Sequence, residues 1–239
     1  MSVKLKAPKQ PTSTTSKDLV VLAIDLGGSH VKVRLSSGSD RRAAVSGTAM
    51  SAQKMVEAVK ELTADWQYDV IGMGYPGPVT DNKPALEPHN LGPGWKGFDL
   101  SAAFGKPVRL VNDAVLQAIG GYNGGNMLFL GLGTGLGSAM IVNYVCLPME
   151  LAHLPYRKDE TFEDFVGERG LEKYGKKKWR KSVEKVVGKL QAALLPHETV
   201  IGGGNVGKLK TLPERCRAGD NENAFLGGFR LWKDESLRF

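Results

Sequence analysis

Two strand–glycine turn–strand units, one in each half of the chain, constrain the fold more than any other feature. The first runs from an apolar strand at Leu19 to Ile24 through Asp25-Leu26-Gly27-Gly28-Ser29-His30 into Val31 to Leu35. The second runs from Met127 to Leu130 through Gly131-Leu132-Gly133-Thr134-Gly135-Leu136-Gly137 into Ser138 to Val142. Val31-Lys32-Val33-Arg34-Leu35 alternates with the period of a half-buried strand. A strand straight after the glycines makes each unit a hairpin, whereas a dinucleotide-binding fold places a helix there. Glycines in such turns let the backbone approach an anion. Taken singly, either unit reads as an ordinary hairpin. Joined by Gly202-Gly203-Gly204-Asn205, they read as phosphate-facing loops in a duplicated α/β architecture.

The remaining pattern is compatible with that frame. A helix is expected over Met50 to Leu62, a strand over Val70 to Met73, and a sharp irregular bend over Gly74-Tyr75-Pro76-Gly77-Pro78. A loop from His89 to Trp95 precedes a helix that Asp99 or Ser101 caps, and Trp95 reads as a packing residue. Pro107 to Val111 is a strand, and Val115 to Ile119 the first turns of a helix. Trp179 to Leu194 carries Val183, Val186, Val187 and Leu190 as a helical stripe. A strand at Thr199 to Ile201 and a final helix from Asn223 follow, with Gly227 and Gly228 permitting close packing.

The chain has 239 residues and 41% hydrophobic composition, enough for one or two compact lobes. Residues 1–18 are polar and rich in Pro, Ser, Thr and Lys, which predicts a disordered lead-in and not a signal peptide. No stretch has the length of a membrane span. Cys146 and Cys216 make neither a disulfide framework nor a metal motif, so buried thiols in a cytoplasmic protein are expected. Much of the net charge of +7 lies in the lead-in and in Lys173 to Lys189. That run reads either as a solvated helix face or as a contact for a polyanion. No nucleic-acid module accompanies it, and no specific nucleic-acid partner is expected.

Phosphorylation of a hydroxyl needs donors and a cation for the phosphates, an acceptor for the hydroxyl proton, and polar groups that orient a polyol. Candidates for the first are Gly27, Gly28, Ser29, Lys32, Gly133, Thr134, Gly135, Gly203, Gly204 and Asn205, with Asp25 holding a hydrated Mg²⁺. Asp113, between strand and helix, reads either as an N-cap or as the general base. Glu150 and His153, spaced i,i+3, read as a salt bridge or as a sugar-binding pair. Asn90 and Asn112 supply donor–acceptor amides suited to neutral hydroxyls.

The ordered set of motifs resembles the ROK sugar kinases of the actin-like ATPase/hexokinase superfamily, over residues 19 to 232. Asp25 to Ser29 and Leu130 to Gly137 look like the two phosphate motifs, Val111-Asn112-Asp113-Ala114 the catalytic segment, and Met149 to Leu154 the sugar motif, with Ala152 in place of glycine. Pro148 to Leu154, Lys177-Lys178-Trp179-Arg180 and Gly227 to Trp232 resemble the polyphosphate glucokinase branch. The resemblance implies a two-lobed, ribonuclease H-like α/β fold, with a smaller lobe over 19–111 and a larger one over 112–239. The C-terminal helix packs back on the first lobe. It further implies phosphoryl transfer from polyphosphate, ATP or both to the 6-hydroxyl of glucose. Asp113 is then the base, Asn90, Asn112, Glu150, His153 and Glu163 contact the sugar, and Mg²⁺ is the cofactor. No zinc is expected, and a cytoplasmic homodimer is. The alternatives are an ATP-dependent kinase of another hexose and a non-catalytic sugar-binding regulator. A repressor is disfavoured, since the lead-in is too short for a helix-turn-helix domain.

Overall fold

In the computed structural model residues 19–157 and 159–239 are described, so the lead-in 1–18 lies outside the described residues. The chain opens with β1 (Val21–Leu26), β2 (His30–Leu35) and β3 (Arg41–Val45), an antiparallel meander. β1 is shifted two residues later than the apolar run indicates. Asp25 stays in the strand because its backbone pairs with Lys32 on one side and Gly74 on the other, and pairing outweighs side-chain polarity. α1 (Ala52–Leu62) is capped by Ser51 and buries Met55, Val56 and Val59. β4 (Val70–Tyr75) returns parallel to β1. Gly74 and Tyr75 therefore belong to a strand, and the bend begins only at Pro76; Tyr75 pairs with Asn112 and is buried against Trp95.

A short hairpin, β5 (Val79–Thr80) and β6 (Lys83–Pro84), precedes α2 (Leu100–Phe104). Asp99 caps α2, while the Ser101 hydroxyl accepts from the Val108 amide. β7 (Val108–Asn112) completes a five-stranded sheet in the order β3-β2-β1-β4-β7. α3 (Asp113–Gly121) leaves β7 without a loop.

The second sheet repeats the plan. β8 (Asn126–Leu132), β9 (Leu136–Val142) and β10 (Val145–Met149) form an antiparallel meander. A 3-10 turn at Leu151–His153 leads to the hairpin β11 (Pro155–Arg157) and β12 (Glu160–Thr161), then to α4 (Phe162–Val166) and α5 (Glu168–Leu194). α5 starts well before Trp179 and is broken at Gly175, where φ is 73°; glycine alone takes that conformation without cost. β13 (Glu198–Gly202) adds parallel to β8, and β14 (Cys216–Ala218) parallel to β13. The order β10-β9-β8-β13-β14 matches that of the first sheet. The chain closes with α6 (Asn223–Lys233).

Three apolar clusters hold these layers. One joins the first sheet to α1 and α2, and one lies among α3, α6 and the near face of the second sheet. The third packs α4 and α5 on the far face of the second sheet. α6 also reaches the first sheet, where Trp232 Nε1 donates to the Ile71 carbonyl at 2.8 Å. Cys146 is buried, whereas Cys216 is only half-buried. No helix among the described residues is long and apolar enough to cross a membrane.

Candidate active site

Asp113 is the first residue of α3, and the cap is its neighbour. Asn112 Oδ1 accepts from the Ala114 amide at 2.9 Å, and Asn112 Nδ2 donates to the Gly77 carbonyl at 3.2 Å. The N-cap reading of Asp113 thus fails, since the extended backbone of Asn112 aims its own amide at the helix start. Asn112 is engaged in holding the Pro76–Gly77 bend. Asp113 Oδ1 accepts from the Ala114 amide at 2.7 Å. Despite that donor, burial of the carboxyl pushes its pKa up to about 7, and the negative charges of Asp25 and Glu150 add to the rise.

Asp25 lies near the end of β1, half-buried, with Lys32 Nζ 3.7 Å from its carboxylate. Burial raises its pKa, and Lys32 works against the rise. The first glycine turn is tied by Gly27 N to His30 O at 3.0 Å and by the Ser46 hydroxyl to Gly27 O at 2.6 Å. Ser29 is exposed there, as is Lys32 on β2. A Cβ on Gly28 would lie 3.1 Å from the Cβ of Asn90, which brings Asn90 against this turn.

The second glycine turn reaches the same helix. A Cβ on Gly137 would sit 3.1 Å from that of Ala114, so β9 begins against the first turn of α3. Within the turn Gly133 N donates to Gly135 O at 3.2 Å, and the Thr134 carbonyl accepts from Glu168 N at 3.1 Å. Glu163 lies on this loop: its carboxylate accepts from Leu136 N at 3.4 Å and faces Arg169 at 3.5 Å. Gly203, with φ of 86°, abuts the Leu132 backbone, and a side chain there would overlap it. Gly204 is open. Asn205 is buried and braces the turn, donating to Gly133 O at 3.1 Å and Glu168 Oε2 at 2.6 Å.

Glu150 precedes the 3-10 turn after β10, and His153 is its last residue. Their side chains are 61% and 71% exposed, with Oε2 3.7 Å from Nε2, and remain open to a ligand. Four supports escaped the sequence reading: Ser46, Ser138, Glu168 and Lys208, which bonds Glu168 at 3.2 Å. Their partners lie far away in sequence, so no spacing signals them.

Chemically the arrangement sets a carboxylate of elevated basicity at a helix N-terminus, between two glycine turns and beside a second carboxylate. The ROK family profile matches residues 21–147. A bifunctional enzyme NanE/NanK of Brucella melitensis is 30% identical over 136 residues, 51% of this chain, and the match spans only 26% of that enzyme. A polyphosphate glucokinase of Mycobacterium leprae is 26% identical over 219 residues, covering 83% of this chain and 67% of that protein. Among solved structures, an inorganic polyphosphate/ATP-glucomannokinase from Arthrobacter sp. strain KM superposes with a TM-score of 0.75 at 20% identity, over 89% of this chain and 97% of its own. The twice-repeated sheet plan and the profile match agree: the chain belongs to the ROK family and has the α/β fold of the actin-like ATPase/hexokinase superfamily.

Proposed function

We propose that this chain is a hexose kinase that transfers a phosphoryl group from polyphosphate or ATP to the 6-hydroxyl of glucose, with Asp113 as general base. The observation that carries the proposal is the place of Asp113 at the head of α3, where the second glycine turn meets Ala114; burial there and the charges of Asp25 and Glu150 raise its pKa, which suits a carboxylate to accept a hydroxyl proton near neutrality. Glu150, His153 and Asn90 present open polar groups to the sugar, and Asn112 and Glu163 act from behind the surface. The glycine turns at Gly27–Ser29 and Gly133–Gly135 face the donor phosphates, and the stretch 203–205 holds the second turn in place. We take the lobes to divide at 111–112, where β7 passes into α3, and a homodimer is the assembly we expect.

Mg²⁺ fits the donor set. Among the described residues no three His, Cys, Asp or Glu side chains gather as a cage, and Mg²⁺ uses one or two carboxylates, retained water and substrate phosphates. Asp25 is the carboxylate that would hold it. When bound, the ion neutralises phosphate charge. Lys32 lies beside that carboxylate, and Asp113 accepts the sugar proton.

Glucose follows from the branch resemblance, and from the names of the Mycobacterium and Arthrobacter relatives. The name of the Arthrobacter relative, a glucomannokinase, keeps another hexose as the second reading. A matrix of purified protein with glucose, mannose, fructose and amino sugars against ATP and polyphosphate distinguishes them. Asp113→Asn is expected to lower kcat about 10²–10⁴-fold while glucose binding stays measurable. Near-native turnover in that variant rejects Asp113 as the base.

A further inference from the structure

We propose that Ser138 is a positioning residue, which fixes Glu150 in the site through the two peptide groups on either side of it. Ser138 lies on β9 directly after Gly137 and is 2% exposed. Its hydroxyl donates to the Met149 carbonyl at 2.8 Å and accepts from the Leu151 amide at 3.1 Å. One group precedes Glu150 and the other follows it, so a single buried hydroxyl sets both ends of that residue.

Another local tie is weaker: the His153 amide donates to the Glu150 carbonyl at 3.3 Å. Glu150 caps the 3-10 turn without a side-chain bond, and its contact with His153 joins two largely exposed groups. The Leu151 amide opens a helical turn, where no internal acceptor exists. β10 ends at Met149, which pairs with Ser138 in the sheet. Ser138 thereby replaces the missing ladder at the residue that matters. The frame is short: Asp113 adjoins Ala114, Ala114 meets Gly137, and Gly137 precedes Ser138. The base and the sugar carboxylate are therefore referenced to the same strand start. A hydroxyl with both its donor and acceptor engaged and no solvent access is suited to holding geometry and not to touching substrate.

The inference rests on the hexose kinase reading, in which Glu150 receives sugar hydroxyls. Ser138→Ala and Ser138→Thr are compared with the unaltered chain in steady-state kinetics and in hexose titration calorimetry without donor. Alanine is expected to raise the hexose KM and Kd about tenfold, with the KM for ATP or polyphosphate unchanged. Threonine, which keeps the hydroxyl, is expected to restore most of the affinity. A purely structural serine predicts a lower melting temperature and kcat with hexose KM unmoved, and that result overturns the proposal. Equal loss of hexose affinity in both variants overturns it too. If the unaltered chain binds hexose but phosphorylates none, the kinase reading fails alone and calorimetry still decides the role of Ser138. If it neither binds nor phosphorylates hexose, both fall.

Discussion

Asp113 and Asp25 are carboxylates held near each other with Lys32 as the local cation, and Glu150 adds a third negative charge. Like charges resist joint ionisation, so each removal lowers the pKa of what remains. A general base must be ionised, so kcat/KM is expected to climb about tenfold per pH unit toward about 7 and level off above it. Glu150→Gln should move that limb to lower pH as well as raise the hexose KM. A pH–rate profile with an unmoved limb would contradict the electrostatic role of Glu150. The same shift fixes the sign of a stability effect. Folding raises the pKa of Asp113, so the native state binds a proton that the unfolded chain has lost between the usual carboxylate range and about pH 7. Stability from this group is full at low pH and is lost as pH rises through that window. Asp113→Asn, neutral at every pH, should melt above the unaltered chain at pH 8 and by a smaller margin at pH 5; equal melting differences at both would refute the linkage.

At the scale of elements, α5 rearranges what the basic run offers. The exposed residues Lys177, Lys181, Lys185 and Lys189 follow one another at i,i+4 along one ridge. None of them makes an ion pair among the described residues. Such like-charge neighbours cost a helix a few tenths of a kcal/mol each, about 0.2–0.5. A row of this kind matches successive phosphates of a long polyanion. Replacing all four with Gln is expected to raise the polyphosphate KM by about tenfold or more and to flatten its salt dependence, leaving the ATP KM within about twofold. Equal rises for both donors would remove the track. Lys181, Lys185 and Lys189 fall inside the helix the sequence indicates from Trp179, so most of the row is legible there; Lys177 joins it only because α5 begins earlier. β2, α1 and the start of α6 were legible from periodicity, and both glycine hairpins from their turns. The extent of β1 was not, since Asp25 breaks an apolar run that backbone pairing continues. Nor was the cap of α3, where two adjacent polar residues compete and only the backbone angles of Asn112 decide. Ser138 was hidden as a small residue in an ordinary strand; its partners appear only once β9 and β10 are in register.

For the whole molecule, α6 is the element that makes two sheets one body. Glu222, just ahead of it, takes Arg34 at 2.6 Å and Arg41 at 2.7 Å from the first sheet. Farther along, Arg230 donates to the Ile119 and Tyr122 carbonyls at the end of α3, and Trp232 holds Ile71. Between these anchors the backbones touch. A Cβ on Gly227 would overlap the Leu116 carbonyl of α3, and one on Gly228 would lie 2.7 Å from the Ala23 Cβ of β1. Gly72 of β4 and Gly120 of α3 meet α6 equally closely from the other side. Because anchors at both ends prevent α6 from sliding away, the overlap must be met by separating α6 from α3. Gly227→Ala is therefore expected to lower the unfolding free energy by about 1–3 kcal/mol, although alanine is the better helix former. Gly188→Ala is the contrast. Gly188 lies exposed in α5, and an added Cβ would meet nothing within 4 Å, so stability should rise by about 0.5–1 kcal/mol. Urea titrations of both variants against the unaltered chain check the pair. If both rise, helix propensity alone governs them, and the close crossing of α6 between the sheets is not what limits this joint.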